Sequence, residues 1–433
     1  MSRVALVYPY FRTRSANELL FAPLGAATLA SQLQRSGIET RVFDCTFKTF
    51  EAVHDELEAY RADVVGIYSM VTLSRNTFRL AETVRRRLPE SLLIAGGPLP
   101  TLYPERYSEA FDAVFRGEAD ISFPRFCVDL FEAGTTRGRF QELQLERYQG
   151  LFVQRNGRRI DNPTMHFTEQ EMESFPLPYR GDFDHAAYQK IWLQLDGTKT
   201  TSLLTTLGCP FHCDFCSRPI FGNRFRRRSL DSVFEEIEQI RRLGYDGLWI
   251  ADDNFTLDIR FLREFCRRIA GRGIGWSCLS RVTGINPQIT RMMKDAGCRR
   301  VYLGLETGNP DTLKLMQKQA SLDEGKRAVQ LFHESGIEVA AFFIVGYPGE
   351  SMSSIEDTFR FALELPLDVI SFNVPFPLPG SPLFDRTTTV DPNMDWNEEN
   401  EVTFVYHSEF DAAWLQRRIR ETMQAFAAKK SKR

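Results

Sequence analysis

Short apolar runs alternate along this chain with stretches in which apolar positions recur about every 3.6 residues, the spacing of one helix face. In the first segment Val4 to Tyr8, Arg41 to Phe43, Val64 to Tyr68, Leu92 to Ala95 and Ala113 to Phe115 read as buried strands. Between them Ala26, Leu29, Ala30 and Leu33, then Leu73, Thr77, Leu80, Val84 and Leu88, repeat at helical spacing. Strand and helix in this order predict a doubly wound parallel sheet, whose ligands lie outside the carboxyl ends of its strands. A second series begins at Thr201, with strands over Thr201 to Leu207, Leu248 to Ala251, Gly275 to Leu279, Arg300 to Leu305, Val339 to Val345 and Val369 to Asn373. Its helices have clear faces, for example Leu230, Val233, Phe234, Ile237 and Ile240, with Ser229 as N-cap. These β/α units predict a partial (β/α)6 barrel, again with its site at the carboxyl ends.

Between the two series the periodicity breaks down. Gly134 to Gly138 reads as a loop, Leu151 to Ile160 as a hairpin about Asn156-Gly157, and Phe175-Pro176-Leu177-Pro178-Tyr179 as an extended connector. The organisation predicted is an α/β chain with a first domain over residues 1–133, a linker over 134–198, the barrel over 199–384 and a short C-terminal helical region over 385–433. That last helix carries Trp414, Leu415, Ile419, Met423 and Phe426 on one face. Composition is that of an ordinary globular protein, 43% hydrophobic and 26% charged, and a net charge of -3 gives no footprint for nucleic acid. No apolar run approaches the roughly 20 residues that span a bilayer. The strand pattern starts directly after Met1-Ser2-Arg3, so the expectation is a cytoplasmic protein.

Eight unevenly spaced cysteines suit a reducing compartment better than a disulfide framework. Three of them, Cys209, Cys213 and Cys216, lie in Gly208-Cys209-Pro210-Phe211-His212-Cys213-Asp214-Phe215-Cys216, directly after a β-prone run. Thiolates spaced Cys-x3-Cys-x2-Cys can converge on one iron-sulfur cube, and three ligands leave one iron open. A structural zinc site wants four ligands, and no second Cys-x2-Cys or His-x3-His is present. Cys45, Cys127, Cys266, Cys278 and Cys298 read as core residues, with Cys278 expected to face the barrel interior. Arg224, Arg226, Arg227 and Arg228 read as a solvated basic face, whose nearness to the cysteine stretch leaves room for an anionic substrate group.

The cysteine stretch resembles the signature of the radical S-adenosylmethionine (SAM) enzymes, Cys-x3-Cys-x-aromatic-Cys, with Phe215 as the aromatic. The resemblance implies a four-iron four-sulfur cluster on Cys209, Cys213 and Cys216, with SAM chelated to the open iron. An electron from a donor such as flavodoxin or ferredoxin would then cleave SAM to a 5'-deoxyadenosyl radical. It also implies SAM contacts at the strand ends. Phe215 would lie near the adenine, Asp252 and Asp253 near the amino group, and Arg281 near the carboxylate. Glu306, in Gly304-Leu305-Glu306-Thr307-Gly308, would lie near SAM, and Gly346, in Gly346-Tyr347-Pro348-Gly349-Glu350, would shape the adenine pocket.

The N-terminal turns are similar to those of the Rossmann-like cobalamin-binding domain of one large radical SAM subfamily. They are Pro23-Leu24-Gly25, Ser69-Met70-Val71, Gly96-Gly97 through Thr101, and Gly117-Glu118. Glycines there let a backbone approach a bulky ligand closely. The subfamily's Gly-Glu-Gly-Glu is altered, with Ala119 and Asp120 in its second half. Asp-x-His-x-x-Gly is absent, and none of His54, His166, His185, His212, His333 or His407 follows a strand in that setting. A bound cobalamin would therefore lack a histidine on its lower face. The function implied is a cobalamin-dependent C-methyltransferase acting on a small-molecule metabolite, with one SAM remethylating cobalamin and another yielding the substrate-activating radical. One alternative is a radical SAM dehydratase, cyclase or rearrangement enzyme whose N-terminal domain holds no cobalamin. Another is an iron-sulfur electron carrier, against which the SAM-type strand ends at Asp252, Glu306 and Gly346 argue.

Overall fold

Alternate residues of the first strand feed two different cores, which is what a strand covered on both faces requires. In this computed structural model, which describes residues 2–12, 20–134, 137–155, 157–216, 222–378, 380–387 and 408–431, that strand is Arg3–Tyr8 (β1). Val4 and Leu6 pack with Ala27, Ala30 and Leu33 of helix Leu24–Arg35. Ala5 and Val7 pack with Leu80, Ala81 and Val84 of helix Ser74–Arg87. β1 pairs in parallel with Glu39–Asp44 (β2) and with Val64–Tyr68 (β3), and Leu92–Gly96 (β4) and Ala113–Phe115 (β5) extend the sheet. The order β2-β1-β3-β4-β5 reverses between β1 and β3, the switch point at which doubly wound sheets take ligands.

Residues 134–198, expected as a linker, are instead part of the first of two compact units, Met1–Lys199 with Phe234–Leu243. Leu151–Arg155 (β6) pairs antiparallel with β5, and Arg158–Asp161 (β7) completes the hairpin, giving a sheet of seven strands. Helix His185–Asp196 then packs back on the sheet, with the Tyr188 hydroxyl donating to Asp44 Oδ2 at 2.8 Å and Trp192 Nε1 to the Leu20 carbonyl at 2.6 Å. Each piece buries only a few residues against a core built elsewhere, so no local periodicity announces it. Of the loops expected here, Thr135, Thr136 and Asn156 lie outside the described residues.

The second unit comprises Thr200–Val233 and Gly244–Arg433. Its strands are Thr200–Leu203 (β8), Thr206–Leu207 (β9), Arg226–Arg227 (β10), Gly247–Ile250 (β11), Gly275–Ser280 (β12), Cys298–Glu306 (β13), Glu338–Ile344 (β14) and Val369–Asn373 (β15). Six form one parallel sheet in the order β15-β14-β13-β12-β11-β8, the predicted partial barrel. Ser229 caps helix Leu230–Arg242 through the Ser232 N–H at 3.1 Å, as expected.

Three expectations are corrected here. The first strand stops at Leu203, and β9 leaves the sheet to pair with β10 in a two-stranded ribbon. The basic run is therefore a solvated face only in part, with Arg224 and Arg227 exposed. Arg226 is buried in the ribbon, Arg228 Nη1 donates to the Leu204 carbonyl at 2.8 Å and Arg227 pairs with Asp258. Cys278 faces the helical layer, because it shares the face of β12 on which Trp276 packs against Phe255 and Phe265, and it neighbours Cys266 and Cys298. The opposite face of the sheet carries Trp249, Tyr302 and Phe342, with ring centroids 4.5 and 5.7 Å apart in that order.

Helix Ala412–Lys430 packs Leu415 with Val345, Ile355 and Phe359, and Arg418 binds both oxygens of Glu356 at 2.7 and 2.6 Å. Met423, expected on the apolar face, is 40% exposed. Among the described residues no helix is long and apolar enough to cross a membrane. Lys432 and Arg433 lie outside the described residues.

Candidate active site

Gly208 turns the chain from β9 into the cysteine loop with a φ of 78°, and a Cβ there would lie 2.3 Å from the Arg224 carbonyl oxygen. Only glycine lets the two arms of the ribbon approach this closely. In the loop Cys213 is buried, while Cys209 and Cys216 are half-buried. The fastening point is Asp214, which is fully buried. Its carboxylate accepts from the Tyr347 hydroxyl and pairs with Arg386. Its N–H donates to the Met316 carbonyl at 3.1 Å, and its own carbonyl accepts from Leu383 N at 3.2 Å. Asp214 thereby fixes the backbone between Cys213 and Cys216. Sequence reading missed it because its side-chain partners lie 133 and 172 residues away.

Among the described residues no three His, Cys, Asp or Glu are grouped as ligands of a single ion. A cube places each thiolate on a different iron, so its sulfurs stand farther apart than the ligands of one ion. The donor set fits such a cube: three thiols on one loop, none in a disulfide, and one receiving an N–H from Arg281 at 3.3 Å.

Beyond β11, Asp252 is fully buried and points into the protein. Oδ1 accepts from Thr205 N at 2.7 Å, and Oδ2 accepts from the hydroxyls of Thr206, at 2.8 Å, and Thr205. Burial pushes its carboxyl up to about 6, against the lowering effect of those hydrogen bonds. The exposed acid at this strand end is Asp253, which accepts the backbone N–H of Gly208. Beyond β12, Arg281 is buried, with its guanidinium 3.8 Å from the Phe211 ring centroid. Near the end of β13 the register with β14 shifts, and Glu306 sits there with a φ of 65°, buried and paired with Lys318. A Cβ at Gly304 would lie 2.3 Å from Glu306 Oε1 and 2.7 Å from Lys318 Nζ, so that glycine leaves room for the ion pair. Lys318 was not legible beforehand, since it sits in a loop 12 residues on with no motif of its own.

Beyond β14, Gly346 has a φ of 77° and leads to the buried Tyr347, against whose ring Phe215 packs edge-on with centroids 6.4 Å apart. Glu350 closes the turn, its Oε2 accepting from Tyr347 N at 2.8 Å. Burial pushes its carboxyl from 4.5 up to about 7, so the folded protein holds this proton more tightly than the unfolded chain. The resulting stabilisation is full below the ordinary carboxylate value and is lost as pH rises through about 7. Glu350→Gln should remove that dependence. Measured by urea unfolding, the variant should gain roughly 2–3 kcal/mol on wild type between pH 5 and pH 8. Parallel stability curves for the two proteins would contradict this.

At the carboxyl ends of the first sheet, Tyr8 and Tyr68 flank the switch point with ring centroids 5.6 Å apart. Ser69 is fully buried, with its Oγ 2.7 Å from the Tyr107 hydroxyl and its N–H donating to the Gly96 carbonyl at 2.8 Å. Gly97 has a φ of 107°, and a Cβ there would lie 2.6 Å from the Ser69 carbonyl and 2.9 Å from the Tyr68 ring. Ser69 and Gly97 thus serve the turn itself. Gly96 differs, since its Cβ would meet only the Phe115 carbonyl, at an ordinary 3.7 Å. Thr101 joins two turns, donating from Oγ1 to the Gly97 carbonyl at 2.8 Å and accepting from Gly117 N at 2.9 Å. Gly117 has a φ of 68° and faces Thr164, and Glu118 Oε2 accepts from Phe167 N at 2.6 Å. Glu118 Oε1 also lies 3.4 Å from His166 Nδ1, bringing an exposed histidine beside the strand end that no local motif marked. Pro23 is buried just ahead of helix Leu24–Arg35. The half-buried Met70, Val71 and Thr101 and the open side of Gly96 fit a broad, flat ligand such as a corrin.

Two family models match separate parts of the chain: the B12 binding domain over residues 17–126 and the Radical SAM superfamily over residues 203–362. An uncharacterized methyltransferase of Pyrococcus horikoshii is 29% identical over 395 residues, covering 86% of this chain and 83% of that protein. The anaerobic magnesium-protoporphyrin IX monomethyl ester cyclase of Rubrivivax gelatinosus is 26% identical over 416 residues, covering 93% and 73%. Among solved structures, the radical SAM methyltransferase TsrM of Kitasatospora setae, with cobalamin and an iron-sulfur cluster bound, matches with a TM-score of 0.73 at 21% identity. The match covers 88% of this chain and 77% of that one, a likeness of fold. The cofactors that go with the two matched domains are a four-iron four-sulfur cluster, SAM and cobalamin, and the chemistry needs a reductant. With a B12-binding domain on the first sheet and a radical SAM domain on the second, the chain belongs to the cobalamin-dependent radical SAM enzymes.

Proposed function

We propose that this enzyme transfers a methyl group to an unactivated carbon of a small-molecule metabolite. The observation that carries the reading is the joining of the B12-binding match and the radical SAM match in one chain, with a methyltransferase among its relatives. When bound, the cofactors supply a SAM-derived radical that opens a C–H bond and a cobalt centre that carries the methyl group. The chain's own residues bind and orient. Cys209, Cys213 and Cys216 hold the cluster on the loop that Asp214 fastens. Asp253, the exposed acid at its strand end, suits the SAM ammonium, because charge-assisted hydrogen bonds are the stronger ones. Glu306 and Gly346 border SAM, and Phe215 flanks its adenine. Met70, Val71, Gly96, Thr101 and Gly117 border the corrin, with Pro23, Ser69, Gly97 and Glu118 shaping the turns behind them. The electron comes from a flavodoxin or ferredoxin. The apolar face of Trp249, Tyr302 and Phe342 favours a substrate with planar or apolar surface.

A second reading, radical cyclisation without methyl transfer, draws on the cyclase among the relatives. Turnover with SAM carrying a deuterated methyl group separates the two in extracts of cells lacking the gene. Methyl transfer predicts both S-adenosylhomocysteine and 5'-deoxyadenosine, with the label in a new metabolite. Retained cobalamin with 5'-deoxyadenosine but no S-adenosylhomocysteine would sink it in favour of the cyclase reading.

A further inference from the structure

Arg281 was expected to meet the SAM carboxylate, but its surroundings assign it elsewhere. The side chain is only 6% exposed, and among the described residues it has no carboxylate partner. Nη1 donates to Cys213 Sγ at 3.3 Å, Nη2 to the Lys318 carbonyl and, at 3.4 Å, to that of Gln319. Nε is buried and unpaired. Phe211, from the cysteine loop itself, covers the guanidinium at 3.8 Å. A buried cation without a counter-charge is costly, so a built pocket of this kind implies a fixed negative partner. Among the described residues the anion-forming atom it donates to is the Cys213 sulfur, and its charge also acts on the Cys209 thiol of the same loop.

The pocket is held under strain. Four non-glycine residues of the described chain have positive φ, and three of them are Glu306, Gln317 and Gln319. Gln317 and Gln319 flank Lys318, which directs its carbonyl to Arg281 and its amine to Glu306. Left-handed backbone at residues other than glycine persists only where the surroundings over-determine it, and it gathers at functional sites. A continuous set of contacts thus runs from Glu306 at the β13 end through Lys318 and Arg281 to the Cys213 sulfur.

We infer that Arg281 is a positioning residue for the iron-sulfur cluster, which sets its reduction potential by donating to the Cys213 thiolate, and that the strained Lys318 loop and Phe211 hold it there. The inference rests on Cys209, Cys213 and Cys216 being the cluster ligands. One electron delivered by an external one-electron reductant adds one negative charge beside the guanidinium. Fixed positive charge and an N–H to sulfur stabilise that added charge and raise the potential.

The test is a reductive titration of anaerobically reconstituted full-length protein without SAM, followed by electron paramagnetic resonance. Arg281→Gln should lower the midpoint, with about a tenfold smaller ratio of reduced to oxidised cluster at a given potential, or ~59 mV for one electron. Arg281→Lys, which keeps the charge but not the planar fork, should recover part of the shift. If Arg281→Gln fails to take up iron, Phe211→Leu carries the test, with a smaller shift in the same direction. An unchanged midpoint in an iron-replete Arg281→Gln protein, or failing that in Phe211→Leu, overturns the inference. Weaker SAM binding at an unchanged midpoint would return Arg281 to the SAM carboxylate. Wild-type protein that takes up no cluster overturns the proposed function as well, and iron content alone tells the two failures apart.

Discussion

Cys213→Ala is expected to abolish 5'-deoxyadenosine formation and to leave the protein without its native iron content after anaerobic reconstitution. Each thiolate fills one iron site of the cube, and an alanine methyl cannot replace it. Cys213 is the most enclosed of the three candidate ligands and the one that Arg281 contacts, so water is poorly placed to substitute there. Cys266→Ala is the matched control. That thiol is buried in the helical layer, where its loss should cost about 1 kcal/mol or somewhat more of packing and spare the iron. Near-normal iron and undiminished SAM cleavage in Cys213→Ala would show that the ligand set is wrong.

Asp214→Ala should be nearly as damaging although every cysteine remains. The substitution strands the buried Tyr347 hydroxyl and unpairs Arg386. Breaking a buried pair by removing one partner costs about 3–5 kcal/mol, and the partial exposure of Arg386 places this case toward the lower end. With the loop unfastened between Cys213 and Cys216, iron content should fall well below one cluster per chain. Asp214→Asn, whose amide oxygen can still accept from Tyr347, should recover part of it. Wild-type stability and iron in Asp214→Ala would mean that the loop is held by other contacts.

These two residues also mark how far the sequence could be read. The cysteine spacing is local chemistry, so Cys209, Cys213 and Cys216 stood out at once, as did strands and helices whose periodicity is set by one buried face. Asp214 lies between them and was passed over, because an acid's role depends on what the fold brings to it from Tyr347 and Arg386. The same holds for Lys318, Thr205 and Thr206, which decide what Glu306 and Asp252 do with their charges. Asp252 and Asp253 look equivalent in the sequence, yet the turn beyond β11 buries one against Thr205 and Thr206 and leaves the other exposed. Gly97 looked like ligand space and proved to be required by the Ser69 carbonyl, whereas Gly96 kept the open side. The antiparallel hairpin β6-β7 was seen as a hairpin, but its attachment to the edge of a parallel sheet is a non-local pairing that no run of residues records.

One chain is expected to carry both a SAM-cleaving cluster and a cobalamin. The most direct measurement is on full-length wild-type protein, reconstituted anaerobically with iron and sulfide, incubated with hydroxocobalamin, desalted, and then given SAM and a low-potential reductant. About four irons and one cobalamin should be retained per chain, since a formed pocket buries most of its ligand, with 5'-deoxyadenosine released. Protein that lacks either group after desalting, or that holds the cluster yet leaves SAM intact, would overturn this.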